Sequence, residues 1–338
     1  MRLLRFWKCL MKSKIVDFLK DYDGKEIKLM EVCGTHTSVI AKSGIRSLLS
    51  PKIRLISGPG CPVCVTSSAY TDKCLEYSAK ENHVLLSFGD MLKGRFELMY
   101  TPFEAISKAE SNPEITYVIA AVGFEATAAV YAQLLREAEK KHISNIKLLT
   151  AIKTIFPPLK WICENEKSID GFICPGHVSV ITGIKGYEKL CAEYGKPFVI
   201  TGFEPEHILS SIYSLVQTVS TGIKTKALNL YKSAVKDEGN IAAQAAITEY
   251  FSAGSAVWRG IGMIENSGLY LREQYAVFDG GSYGLDYDAA LPDGCRCGDV
   301  ITGRINPGEC PLFGNKCTHS HPLGPCMASP EGACGLWS

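Results

Sequence analysis

The chain has 338 residues, of which 46% are hydrophobic and 21% charged, and its 36 basic and 35 acidic residues nearly cancel. This composition is typical of a globular protein and gives no reason to expect a nucleic acid or a membrane as partner. No apolar run approaches the roughly 20 residues of a membrane helix, and the basic segment from Met1 to Lys14 lacks the uninterrupted apolar core of a signal peptide. We therefore expect a cytoplasmic protein.

Short apolar runs recur along the chain, and each ends near Gly, Pro or polar residues. They lie at 27–32, 53–57, 83–88, 117–122, 146–150, 171–173 and 198–201. Unbroken apolar runs of this length are typical of strands buried on both faces of a parallel sheet. Helical patterns at 126–140 and 206–219 alternate with them, and a further helical pattern covers 224–251. The predicted fold class is therefore α/β.

The loops after the first two predicted strands carry thiols. Cys33-Gly34-Thr35-His36-Thr37 follows the first strand, and Cys61-Pro62-Val63-Cys64 follows the second. A C-x-x-C motif that opens a helix favours thiolate, which binds soft metals or exchanges with disulfides. If the thiols of Cys33, Cys61 and Cys64 meet in one crevice, they suffice for a single iron with open positions. The alternatives are a structural histidine at His36 and a small buried hydrophobe at Cys33.

Later strand ends carry an imidazole and two carboxylates. His177 follows the run at 171–173, while Glu125 and Glu204 follow two others. These groups are suited to acid–base work or to orienting a ligand. Loop packing and helix capping explain the same residues equally well.

The last part of the chain has a different composition. From Gly280 onward Gly, Pro and Cys dominate, and six of the fourteen cysteines lie between Cys295 and Cys334. Such a segment cannot build a conventional core, so a metal cluster is the expected source of order. An iron–sulfur cluster needs four thiolates, and the six present are Cys295, Cys297, Cys310, Cys317, Cys326 and Cys334. A structural zinc site and inert free thiols remain alternatives.

Several segments resemble the [NiFe]-hydrogenase maturation factor HypD family, in the expected order and over nearly the whole chain. They are Met30 to Thr37, Ser57 to Thr66, Phe88-Gly89-Asp90-Met91, Pro175 to Ser179, Gly202 to Pro205, Glu238-Gly239-Asn240, Trp258-Arg259-Gly260 and the tail from Cys295 to Cys334. The chain departs from the family pattern in being shorter between Met91 and Tyr100. It also has Ala151-Ile152 where the family has Asn-His.

The resemblance implies two Rossmann-like parallel-sheet domains and a small irregular C-terminal domain with a [4Fe–4S] cluster. On this chain the first domain would comprise 1–115 and about 223–280, the second 116–222, and the iron–sulfur domain 281–338. The cluster ligands would be Cys295, Cys310, Cys317 and Cys334, which leaves Cys297 and Cys326 spare. Cys33, Cys61 and Cys64 would handle iron or electrons, with His36 and His177 beside them.

The family's role is implied in the same way. With a small HypC-like partner, the protein would be a scaffold on which iron receives cyanide and carbon monoxide ligands. A HypE–HypF pair would supply the cyanide, and the hydrogenase large subunit would receive the product. We therefore expect a metallocentre-assembly scaffold with redox activity. The alternative is an iron–sulfur-dependent thiol–disulfide oxidoreductase acting on a protein substrate. A weaker alternative is a binding protein stabilised by zinc, without a redox role.

Overall fold

The computed structural model describes residues 14–88, 96–223 and 225–337. Gly89, Asp90 and Met91 of the predicted motif, with most of the short region after it, lie outside these ranges. The predicted α/β class is confirmed, because two sheets with mainly parallel strands carry helices between successive strands. Within the described ranges, no helix combines the length and the apolar character that crossing a membrane requires.

The first compact unit contains the described residues within 1–61, 160–239 and 292–338. Its five-stranded parallel sheet has the order β2-β1-β7-β8-β9. The strands are β1 Ile27–Glu31, β2 Ile53–Ser57, β7 Gly171–Cys174, β8 Phe198–Ile200 and β9 Leu228–Asn229. Its helices are 14–20, Gly34–Lys42, Gly176–Thr182, Lys185–Tyr194, Pro205–Thr221, Cys297–Ile301, Pro325–Ala328 and Ala333–Trp337, with 3-10 turns at Ile45–Leu48 and Pro307–Glu309.

The apolar runs of the sequence form the hydrophobic core of the first unit. β7 and β8 are buried along their whole length, as unbroken apolar runs predict for central strands. Leu29 of β1 pairs in register with Leu55 of β2 on one side and Gly171 of β7 on the other. Ile208, Ile212 and Leu215 of the helix Pro205–Thr221 pack in the same apolar cluster. The carboxyl ends of β1, β2, β7 and β8 therefore share one edge of a rigid sheet.

The second unit contains the described residues within 62–159 and 240–291. Its six-stranded sheet has the order β10-β11-β6-β5-β3-β4, with an antiparallel β10–β11 pair added to a parallel core. The strands are β3 His83–Ser87, β4 Glu97–Leu98, β5 Thr116–Gly123, β6 Ile146–Lys153, β10 Phe251–Trp258 and β11 Gly262–Leu271. The helices are Pro62–Val65, Ser68–Ala79, Glu104–Ser111, Glu125–Lys140 and Ile241–Tyr250, with a 3-10 segment at Glu273–Phe278; Phe156–Asn165 spans the boundary between units.

These two units divide the chain differently from the expected three domains. Residues 1–115 were expected in one domain, yet β1 and β2 belong to one sheet and β3 to the other. Residues 116–222 are likewise split, because β7 pairs with β1 whereas β5 and β6 pair with β3. The tail from 292 onward groups with the first unit. Which residues belong to each unit depends on pairing between strands that are distant in the sequence. The order of segments along the chain does not predict this pairing.

Candidate functional site

Cys33 lies where β1 ends and the helix Gly34–Lys42 begins. It is the N-cap residue of that helix, in extended conformation, and only 8% of it is exposed. The amide N–H groups of His36 and Thr35 act on its sulfur and favour the thiolate, but burial is the larger effect and raises the pKa of Cys33 to about 11. At neutral pH the isolated site therefore holds Cys33 as a thiol.

A buried carboxylate holds the Cys33 loop in place. Oε2 of Glu31 accepts the amide N–H of Cys33 at 3.3 Å, and Oε1 accepts the hydroxyl of Thr37 at 2.6 Å. Thr37 also donates its amide N–H to the carbonyl of Cys33 at 3.0 Å. Burial raises the pKa of Glu31 to about 7, against the opposing hydrogen bond from Thr37.

His36 lies inside the same helix turn and is fully buried. Its Nε2 is 3.2 Å from the carbonyl oxygen of Gly202. Because a carbonyl only accepts, Nε2 must carry the proton, and Nδ1 is then a lone pair. Nδ1 is buried and has no hydrogen-bond partner among the described residues. Burial lowers the pKa of His36 to about 4, so the ring is neutral at physiological pH.

His177 and His36 both contact the aromatic ring of Phe203. The ring of Phe203 stacks on His177 with centroids 4.2 Å apart and contacts His36 at 5.0 Å. His177 itself is exposed at the start of the helix Gly176–Thr182. Glu204 is the N-cap residue of the helix Pro205–Thr221, and Glu125 belongs to the other unit. The structure therefore brings His177 near His36, and it gives Glu204 a position typical of a helix cap.

The second thiol loop lies directly against the first. The amide N–H of Gly34 donates to the carbonyl of Gly60 at 3.4 Å, and a Cβ at Gly60 would lie 2.3 Å from the backbone nitrogen of Cys33. Only glycine therefore permits this approach of the two loops. Cys61 and Cys64 are both disulfide-bonded and buried, and Cys64 lies on the short helix Pro62–Val65.

The six thiols of the tail converge on one region. The Sγ atoms of Cys295 and Cys297 are 3.4 Å apart. The Cys334 thiol interacts with the thiols of Cys297 and Cys326, and hydrogen bonding, from Cys297 most strongly, lowers the pKa of Cys334 to about 5. The charges of Cys310 and Cys317 also act on Cys334. Cys334 is thus influenced by four of the other five tail thiols, while Cys295 contacts Cys297.

The remaining two thiols face the backbone. The Cys310 sulfur is 3.9 Å from the carbonyl oxygen of Gly294, and the Cys317 sulfur accepts the amide N–H of Leu323 at 3.4 Å.

The tail reaches the loops at the sheet edge. The hydroxyl of Ser329 is 3.3 Å from the Cys61 sulfur. A Cβ at Gly34 would meet the side chain of Glu331 at 2.8 Å. At the last described helix, Trp337 lies 4.3 Å below the Arg46 guanidinium. Sequence reasoning missed Ser329, Glu331 and Arg46, because single polar residues without a motif carry no sequence signal for such contacts.

The tail offers six thiols, two more than the four that an iron–sulfur cluster needs. Across the described ranges, no three or more His, Cys, Asp or Glu side chains already form a metal-binding arrangement. The thiol set nevertheless suits iron, since thiolate is the usual ligand of such clusters. The backbone of Gly324 packs closely against two of the thiols, because a Cβ there would lie 2.6 Å from the Cys297 sulfur and 2.8 Å from the Cys295 sulfur. The donor chemistry of these thiols therefore fits an iron–sulfur cluster.

Comparison with known proteins gives a consistent result. The family model HypD, described as "Hydrogenase formation hypA family", matches residues 10–338. A putative hydrogenase expression/formation protein of Methanocaldococcus jannaschii is 36% identical, covering 92% of this chain and 91% of that protein. Hydrogenase maturation factor HypD of Escherichia coli K12 is 34% identical over 93% of this chain and 89% of its own length. The corresponding factor of Rhodobacter capsulatus is 35% identical over 96% and 92%. The chain therefore belongs to the HypD family of hydrogenase maturation factors.

Proposed function

We propose that this protein is a scaffold that binds iron at Cys33 and assembles its cyanide and carbon monoxide ligands for a [NiFe] hydrogenase, together with a HypC-like partner. The observation that carries the proposal is the backbone contact between the Cys33 and Cys61 loops, with the tail thiols held in the same unit. Cyanide and carbon monoxide favour low-spin ferrous iron, for which thiolates are suitable soft ligands. A HypE–HypF pair would deliver the cyanide, and the large subunit would receive the completed iron.

The surroundings of Cys33 support iron handling. Burial disfavours the Cys33 thiolate at neutral pH, so iron must displace a proton to bind. The neutral ring of His36 offers the Nδ1 lone pair as an acceptor or ligand in the same helix turn. Cys61 and Cys64 would join as further ligands after their disulfide state is reduced.

For the tail we propose a [4Fe–4S] cluster held by Cys295, Cys310, Cys317 and Cys334, with Cys297 and Cys326 as the spare thiols. The cluster, when bound, supplies or accepts single electrons. Cys334 hydrogen-bonds with Cys297 and Cys326, and the charges of Cys310 and Cys317 act on it, so the choice of these four ligands follows the family resemblance. Replacement of Cys317 by Ser should lower the iron content and loosen the tail, whereas Cys326→Ser should retain the iron. Equal iron in both variants would contradict this choice of ligands.

Infrared spectroscopy of protein purified anaerobically with a HypC-like partner tests the scaffold proposal. Bands of cyanide and carbon monoxide bound to iron are expected from the wild-type complex and absent from Cys33→Ser. Complexes that carry iron but show no diatomic bands in any preparation would contradict the proposal. Metal analysis of the same samples separates iron from zinc.

The second candidate function is an oxidoreductase that exchanges disulfides with a protein substrate. The disulfide-bonded state of Cys61 and Cys64 favours it. Turnover of a protein disulfide without any HypC-like partner would support this function, and absence of turnover would leave the scaffold as the sole candidate.

A further inference from the structure

Ser329 provides the contact between the tail and the Cys61 loop. Its hydroxyl oxygen is 3.3 Å from the Cys61 sulfur, and only 3% of the residue is exposed. Cys61 is disulfide-bonded, so its sulfur carries no hydrogen and can only accept. The hydroxyl of Ser329 must therefore be the donor in this pair.

The backbone fixes Ser329 in this orientation. The amide N–H of Ser329 donates to the carbonyl of Pro325 at 3.1 Å, and its own carbonyl accepts the amide N–H of Gly332 at 3.0 Å. The amide N–H of Glu331 donates to the Ser329 hydroxyl oxygen at 3.3 Å. With an oxygen lone pair engaged by Glu331, the hydroxyl hydrogen stays directed at sulfur.

We propose that Ser329 is a positioning residue that sets the reduction potential of the Cys61 and Cys64 disulfide by donating a hydrogen bond to Cys61. A hydroxyl donates weakly to a neutral disulfide sulfur and much more strongly to a thiolate. The bond therefore stabilises the reduced state more than the oxidised state and raises the reduction potential. The inference rests on the redox role of Cys61 in the proposed function.

The step balances with a dithiol reductant. The reductant gives two electrons and becomes a disulfide, while the S–S bond of the motif breaks. Cys61 becomes a thiolate that accepts the hydrogen bond from the Ser329 hydroxyl. Cys64 takes up one proton and becomes a thiol. The second proton of the reductant passes to solvent.

The test is a redox titration of the purified full chain under argon, with mixtures of reduced and oxidised dithiothreitol. After alkylation and trypsin cleavage, the peptide Leu55–Lys73 contains Cys61 and Cys64 and no other cysteine, so mass spectrometry reads this pair separately from the tail thiols. We expect Ser329→Ala to lower the equilibrium constant for reduction about tenfold, which equals about 30 mV. Ser329→Thr, which keeps the hydroxyl, should return the constant to within about twofold of wild type.

Two further variants make the result decisive. Ser320→Ala removes an exposed tail hydroxyl that lies 3.1 Å from the hydroxyl of Thr318, and it should leave the potential unchanged. If Ser329→Ala does not fold, judged by circular dichroism, Ser329→Gly removes the hydroxyl in a second way. A wild-type potential in the hydroxyl-free variants, or an equal shift in Ser320→Ala, overturns the proposal. The titration needs neither iron delivery nor hydrogenase, so it succeeds or fails independently of the infrared test.

Discussion

The hydroxyl of Thr37 donates to Oε1 of Glu31 at 2.6 Å, and both residues are almost completely buried. The second oxygen of the same carboxylate accepts the amide N–H of Cys33. One side chain of β1 therefore fixes the first turn of the helix that presents the thiol. Because Glu31 and Thr37 are only six residues apart, this hydrogen bond is local in the chain.

Replacement of Thr37 by Val should lower the free energy of unfolding by about 1–3 kcal/mol, because it leaves a buried carboxylate oxygen without this donor. Urea denaturation of the reduced protein measures the change. Thr182→Val is the matched control, since the Thr182 hydroxyl donates to the carbonyl of Val178 in its own helix and is only partly buried. Its cost should stay within about 0.5 kcal/mol. Equal losses in the two variants would contradict the anchoring role of Thr37.

The buried carboxyl of Glu125 should produce a pH dependence of stability. Its Oε1 accepts the amide N–H of Ile155 at 2.8 Å, and Oε2 has no hydrogen-bond partner within the described part of the chain. Burial raises the pKa of Glu125 from 4.5 to about 7. A folded-state pKa above the unfolded value means that this contribution to stability is complete below about pH 4.5 and is lost as the pH rises through about 7.

As the pH rises from about 4.5 to about 7, ionisation of Glu125 should lower the free energy of unfolding of the wild type by about 3 kcal/mol. Glu125→Gln cannot ionise and should lack this part of the profile, as measured by urea denaturation at several pH values. Glu114→Gln, an exposed position in the same unit, should keep the wild-type profile. A Glu125→Gln profile parallel to that of the wild type would show that the carboxyl is not the source.

Gly324→Ala should disturb the tail thiols. The added Cβ would lie 2.6 Å from the Cys297 sulfur and 2.8 Å from the Cys295 sulfur, closer than such atoms approach. We expect iron bound by the anaerobic protein to fall severalfold, as measured by metal analysis and visible absorbance. Gly308→Ala is the control, because a Cβ there has no neighbour within 4 Å and the backbone is not left-handed. Iron retained in Gly324→Ala would argue against a cluster at these thiols.

The sequence predicted the α/β class and most strands because the apolar runs of buried strands are continuous. The helix Glu125–Lys140 and the helix Pro205–Thr221 were also predicted within two residues. The segment 224–251 was expected to be helical throughout, but Leu228–Asn229 forms the edge strand β9, and among its described residues, 225–251, helix is limited to Ile241–Tyr250. Pairing with β8 outweighs local helix preference there.

The site was predictable where chemistry and spacing coincide. Cys33 and Cys61 follow neighbouring parallel strands, and the backbones of their loops contact each other at Gly60. Long-range partners were not predictable. The contact of Ser329 with Cys61 joins residues 268 positions apart, and the pairing of β7 with β1 cannot be read from local patterns.

Cys33→Ala should abolish hydrogenase maturation and leave the fold and the tail iron intact. The residue lies just after β1, a strand whose register is set by β2 and β7, so removing its sulfur takes away the reactive group without changing the sheet. The small cavity should cost about 1 kcal/mol. Cys74→Ala is the matched control, because Cys74 is a fully buried free thiol in the other unit. Hydrogenase activity in cells that depend on this chain, with iron per chain measured in parallel, distinguishes the variants. Normal maturation with Cys33→Ala would show that the iron is bound without this thiolate, and the role assigned to the first strand end would then be wrong.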